Sequence, residues 1–89
     1  MDAEKLKRFR VLRRNYLYNG MYHIPTTAEY KELSADVLGY ISTVRDPLQK
    51  TLLQMYYYQA KSITAISLAT NYSESQLKRI KKDIINHFG

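Results

Sequence analysis

Cysteine and tryptophan are absent from this chain, glycine and proline are scarce, and no apolar run exceeds a few residues. Each absence removes a class of explanation. Without cysteine there is no disulfide framework and no thiolate metal site, and a cytoplasmic location is allowed. Short apolar runs fall far below the roughly 20 residues that cross a bilayer, so a membrane partner is not expected. The opening stretch MDAEKLKRFR is charged throughout and lacks the apolar core of a secretory signal. His23 and His87 are isolated and have no plausible companions as metal ligands, so neither a metal nor a cofactor is expected. There is no glycine-rich phosphate loop and no nucleophile motif. Glu32 and Asp36 form an (i, i+4) carboxylate pair, which reads as a solvated helix face rather than acid–base machinery. An enzyme is not expected.

What is present is positive charge and tyrosine. The net charge is +6, the pI about 9.6, and nine residues are tyrosine. A basic surplus favours an anionic partner such as nucleic acid. The 89 residues predict one small domain, 1–89, with one modest core. Apolar residues recur at spacings of three and four, which predicts an all-α fold of about five helices. Residues 1–45 would supply basic and capped N-terminal helices, packed on a C-terminal tri-helical unit, 46–89.

The first helix is expected from about Asp2 to Leu17, with Leu6, Phe9, Leu12 or Arg13, and Tyr16 on one stripe and lysines and arginines elsewhere. Asn19-Gly20 should stop it, and Pro25 should hold Met21 to Ile24 extended. Thr26 and Glu29 form a capping box for a second helix ending near Arg45, with Tyr30, Leu33, Val37, Ile41 and Val44 inward. Asp46-Pro47 opens a third helix running to about Gln59–Lys61. Leu48, Leu52, Met55 and Tyr56 should face inward, joined by Leu53 and by Tyr57 or Tyr58. Ser62 caps a short fourth helix, Ile63 to Thr70. Ser73 caps a fifth, with Gln76 completing a second capping box and Leu77, Ile80, Ile84 and Phe88 inward.

The last two helices, separated by Asn71-Tyr72, read as a helix-turn-helix with a cationic second helix, a shape that fits the DNA major groove. Burying Leu77, Ile80 and Ile84 leaves Ser73, Ser75, Gln76, Lys78, Arg79, Lys81 and Lys82 outside as candidate DNA-binding residues. Gln76, Arg79 and Ser75 suit base edges, because glutamine pairs with adenine and arginine with guanine. Ser73, Lys78, Lys81 and Lys82 suit phosphates. Glu74 could accept from a cytosine amino group or repel phosphate. The plain alternative is an ordinary solvated amphipathic helix, but two capped helices around a three-residue turn favour the specific reading. In the first helix Arg8, Arg10, Arg13 and Arg14 are candidate auxiliary phosphate contacts; a solvated face is the alternative there. Tyr56 to Tyr58 cannot form one stacking platform, since consecutive helical residues point about 100° apart.

Arg45 to Phe88 resembles the C-terminal part of sigma-70 region 4-like proteins, in particular the small ArpU/RinA-type regulators of phages of Gram-positive bacteria. The pieces that carry the resemblance are DPLQKTLLQMYYY (46–58), ITAISLAT (63–70) and NYSESQLKRIKK (71–82). Ser67 and Thr70 stand where those helices usually carry Ala and Leu, and Asn71 replaces a common turn glycine. The resemblance covers about half of the chain. It implies a phage or prophage transcription regulator of the bacterial cytoplasm that binds double-stranded promoter DNA through the Ser73–His87 helix. RNA polymerase is a further candidate partner, and a homodimer would add half-site specificity. The rival expectation is a phage protein-interaction module or inhibitor that binds RNA polymerase or another host nucleoprotein. An exposed aromatic patch at Tyr56–Tyr58 would favour the rival, and a positive surface joining the first and fifth helices would favour DNA.

Overall fold

Helix starts in this protein are set by local cap chemistry. The computed structural model describes residues 1–18 and 28–88. Among these residues it holds five helices and no strand: α1 (Ala3–Tyr18), α2 (Ala28–Thr43), α3 (Pro47–Leu52), α4 (Ile63–Thr70) and α5 (Glu74–His87). The Asp2 carboxylate accepts from the Lys5 backbone N–H at 2.8 Å and opens α1. Asp46 is extended ahead of Pro47 and accepts from the N–H groups of Leu48 and Gln49. Ser62 Oγ accepts from the Ala65 N–H, and Ser73 Oγ from the Gln76 N–H. Each bond satisfies an N–H that a helix start otherwise leaves unpaired. The expected Asn19-Gly20 stop, the Met21–Ile24 connector and the Thr26 cap lie outside the described residues.

Two details go beyond the sequence expectation, one an end and one a helix type. α2 ends at Thr43, before Arg45. There the Ser42 and Thr43 hydroxyls donate to the carbonyls of Gly39 and Tyr40 at 2.6 and 2.7 Å, and such back-bonding competes with helix continuation. The third helix is not α-helical throughout. From Leu53 to Tyr58 it widens into a π-helical turn, with the Gln59 N–H donating to Gln54 O at 2.9 Å. In an α-helix Leu52 would share its face with Tyr56, four residues on. The i→i+5 pattern aligns it with Tyr57 instead. Tyr57 is accordingly buried with Leu52 and Leu53, while Met55, Tyr56 and Tyr58 are half-buried. The turn closes at Ala60, whose φ of 53° is left-handed, and the Lys61 N–H reaches back to Met55 O at 2.9 Å.

One core holds all five helices. Leu6 and Phe9 of α1 and Leu33, Val37 and Ile41 of α2 meet Leu52, Leu53 and Tyr57, Ile66 of α4, and Leu77 and Ile84 of α5. Each fully buried leucine or isoleucine contributes about 1.5–3 kcal/mol. Ile80 and Phe88, expected inside, are half-buried at the rim of that core. α1 packs on α2 and on the π turn, whereas α5 packs on α3 and α4. The inner face of α5 is thus fixed by two neighbours, and its outer face is left to solvent.

Candidate nucleic-acid interface

Asn71, Tyr72 and Ser73 join α4 to α5. Asn71 adopts the left-handed conformation at φ 64°, and its N–H donates to Ser67 O at 3.0 Å. Asparagine tolerates this region better than other residues with a side chain. Ser67 Oγ then donates to Tyr72 O at 2.6 Å. This bond needs a hydroxyl, which the alanine more usual at that place in the resembled helices would lack. Ser73 returns to extended backbone and caps α5. Thr64 donates to a Glu74 carboxylate oxygen at 3.1 Å and ties the start of α5 to α4. Only half of the expected capping box forms: the Gln76 backbone donates to Ser73, while the Gln76 side chain is exposed.

The exposed residues of α5 fall into an ordered pattern. Ser75, Arg79, Lys82 and Asn86 recur at spacings of four, three and four, and all are exposed. These spacings place them on one stripe of the helix. Lys78 flanks the stripe on one side. Gln76 and Asp83 flank it on the other, where Asp83 lines a groove with Arg45 and Gln49. Lys78, Arg79 and Lys82 make no ion pair or hydrogen bond among the described residues, so three cations stand free on the solvent face. Asn86, a donor and acceptor on the same stripe, was not singled out from the sequence, although the helical period alone places it there.

Lys81 stands apart from the other α5 cations. It is half-buried, its Nζ donates to the Tyr56 hydroxyl at 3.1 Å, and it lies 4.7 Å from the centre of the Tyr56 ring. The arginines of α1 are not brought together on one face either. Arg8 turns to α2 and pairs with Glu29 at 2.7 Å. That hydrogen bond holds the Glu29 carboxyl below its ordinary range and raises the guanidinium. Arg13 is a clasp within the fold. Its Nε donates to Tyr58 O at 2.8 Å, its Nη1 donates to the Tyr30 hydroxyl at 3.0 Å, and it stacks 4.3 Å over the Tyr58 ring. Arg10 donates to Lys61 O at 3.3 Å and covers Tyr56 at 4.1 Å. Arg14 is exposed. Of the four auxiliary candidates, Arg8 and Arg13 are held by side-chain partners of the chain itself, and Arg10 is held more loosely, by one long bond to a carbonyl and by the Tyr56 ring.

Positive charge from α1 and α5 does meet, at two of the expected residues, Arg10 and Lys81, together with Lys7. Lys7 and Arg10 of α1 face Lys81 of α5 across one groove, with Tyr56 and Tyr57 also lining it. Tyr56 to Tyr58 form no exposed aromatic patch, since Tyr57 is buried and the other two lie under arginine or lysine. The Glu32 and Asp36 carboxylates line a groove between α1 and α2, where Lys5 pairs with Asp36 at 3.3 Å. No three histidine, aspartate or glutamate side chains cluster as metal ligands among the described residues. Nor is any helix there long and apolar enough to cross a membrane.

No family model, curated protein or solved structure matches the chain.

Proposed function

We propose that this protein is a sequence-specific double-stranded DNA-binding regulator of transcription, of the phage or prophage type, acting in a bacterial cytoplasm. α4 and α5 serve as a helix-turn-helix, and α5 enters the major groove. The observation that carries the reading is the free stripe on α5. It joins polar side chains able to read bases to unpaired cations able to meet phosphates, on a helix held by neighbours on its other side. The turn supports it, because the caps at Asn71 and Ser73 hold α5 at a set angle to α4.

In this reading Arg79, Gln76 and Ser75 contact base edges and Asn86 extends the row. Arginine addresses guanine, and glutamine or asparagine addresses adenine. Ser73 and the free N–H groups of the first turn of α5 meet a phosphate, aided by the helix dipole. Thr64 keeps the Glu74 carboxylate beside α4, to one side of that approach. Lys78 and Lys82 supply salt-sensitive affinity without sequence information. Lys81 acts through Tyr56 in shaping the groove beside α1.

A second reading is favoured by one feature. Leu68 on α4 is 81% exposed, and Tyr72, four residues on in the turn, is exposed as well. An apolar side chain so far out of the core fits a protein partner such as RNA polymerase, with DNA binding absent or secondary.

In vitro selection from a random duplex library separates the two. A consensus is expected, with Arg79→Ala blurring one position at a cost of roughly 1–3 kcal/mol and Lys82→Ala weakening all sequences evenly. Weak binding without preference, abolished by moderate salt, would sink the regulator reading and leave the Leu68 surface as the functional one.

A further inference from the structure

Two cations in the groove between α1 and α5 share a single aromatic ring. Arg10 and Lys81 lie 4.1 and 4.7 Å from the centre of Tyr56, from opposite walls of a groove of about 450 Å³. Neither makes an ion pair among the described residues. Glu4 is the one acidic residue lining that groove. Arg10 donates from Nη2 to Lys61 O, but its Nε is buried and has no hydrogen-bond partner among the described residues, and an unpartnered guanidinium donor calls for an acceptor. An anionic oxygen between Arg10 and Lys81 would offset their mutual repulsion. After a small swing of the guanidinium it would also provide the missing acceptor.

The rest of α1 says what kind of anion fits. Lys7, Arg10 and Arg14 recur at spacings of three and four, so they share one stripe of the helix. Lys7 and Arg14 are exposed. The row is about 10 Å long at 1.5 Å per residue, or roughly three nucleotide rises of one DNA strand. A lone phosphate would fill the Arg10 gap and leave Lys7 and Arg14 unused, whereas a polyanion engages the whole row. The major groove is about 12 Å wide and is bounded by the two phosphate backbones. With α5 inside it, a cationic helix one groove away from α5 meets a bounding backbone rather than base edges.

We infer that α1 lies along the phosphate backbone bounding the major groove that α5 enters, with Lys7, Arg10 and Arg14 as its contacts. This rests on α5 being the DNA-reading helix. Arg8 and Arg13 take no part, being held by Glu29, Tyr58 and Tyr30.

The test uses the whole chain and a duplex bearing its selected consensus, with binding measured from low to moderate salt. Lys7→Gln combined with Arg14→Gln is expected to reduce the slope of log K against log salt by about 0.9 for each phosphate no longer neutralised. The consensus should not change. Glu4→Gln should tighten binding at low salt, and Arg8→Gln should leave the slope alone. Parental slope and affinity in the double variant, while Arg79→Ala still blurs the consensus, would overturn the inference and spare the reading of α5. An equal loss from Arg8→Gln would also overturn it, as the effect of charge in bulk. If the unsubstituted chain selects no consensus, the reading of α5 fails and this inference falls with it.

Discussion

Three consecutive tyrosines take three separate roles. Tyr58 stacks on Phe9 and under Arg13, Tyr56 holds Arg10 and Lys81, and Tyr57 is buried at 2% exposure. Burial pushes the Tyr57 phenol up from 10.0 to about 12, with Tyr56 adding to the rise and Arg10 opposing it. In the unfolded chain the same group ionises near pH 10. Between pH 10 and 12 the unfolded state therefore loses a proton that the folded state keeps. The stability tied to Tyr57 is fully present below pH 10 and is lost as pH rises through 12, by about 1.4 kcal/mol per pH unit. Tyr57→Phe keeps the ring and removes the proton, so its stability should fall less steeply across that window in urea unfolding at successive pH values. Parallel profiles for parent and variant would contradict this account. The Glu29 carboxyl works in the opposite direction. Its depressed value gives stability above the ordinary carboxylate range that is lost as pH falls through the lowered one, and its exposure to solvent keeps the effect small.

The start of α5 combines an observed cap with the proposed phosphate contact, and one substitution can separate the two. Ser73 Oγ caps the helix, and the same position is where a phosphate would approach. Ser73→Ala should cost about 1 kcal/mol of stability. Ser73→Asp keeps a good cap and favours the helix dipole, so stability should stay within roughly 0.5 kcal/mol of the parent. Its negative charge should nonetheless weaken binding to any duplex. Thermal unfolding paired with duplex titration reads both quantities, and undiminished DNA binding by Ser73→Asp would place the phosphate elsewhere. The caps at Asp46, Ser62 and Ser73 were legible in the sequence because cap chemistry is local, reaching two or three residues. The π turn was not. Its i→i+5 pattern brings Tyr57 rather than Tyr56 to the core, a choice made by what packs against the helix. Tertiary pairing hid part of the candidate site as well. The sequence shows Arg8, Arg10, Arg13 and Arg14 as one basic run, but their partners Glu29, Lys61 and Tyr58 lie 21, 51 and 45 residues away. Arg79 and Lys82 were legible as exposed cations, because the apolar positions of a strongly amphipathic helix leave them only one side to occupy.

Charge is unevenly placed over the whole molecule. Asp2, Glu4, Glu29, Glu32 and Asp36, five of the eight acidic residues, line one groove between α1 and α2, where Lys5 and Arg8 pair with two of them. α5 carries four of the fourteen basic residues, three of them unpaired among the described residues. The +6 surplus is thus an acidic seam on one side and a cationic helix on another. A DNA duplex bound as proposed would sense this arrangement, because charges beyond about 10 Å are largely screened at 0.1 M salt. Two double variants that each remove two positive charges separate placement from total. Lys78→Gln with Lys82→Gln strips the outer face of α5, and should weaken binding and lower the salt slope by about 0.9 for each phosphate left without its cation. Lys5→Gln with Arg8→Gln strips the acidic seam. It should leave duplex affinity near the parental value and lower stability instead, since five carboxylates would then share one groove without their counter-charges. Equal weakening of DNA binding by the two pairs would mean that net charge alone attracts the duplex, and the oriented interface on α5 would have to be abandoned.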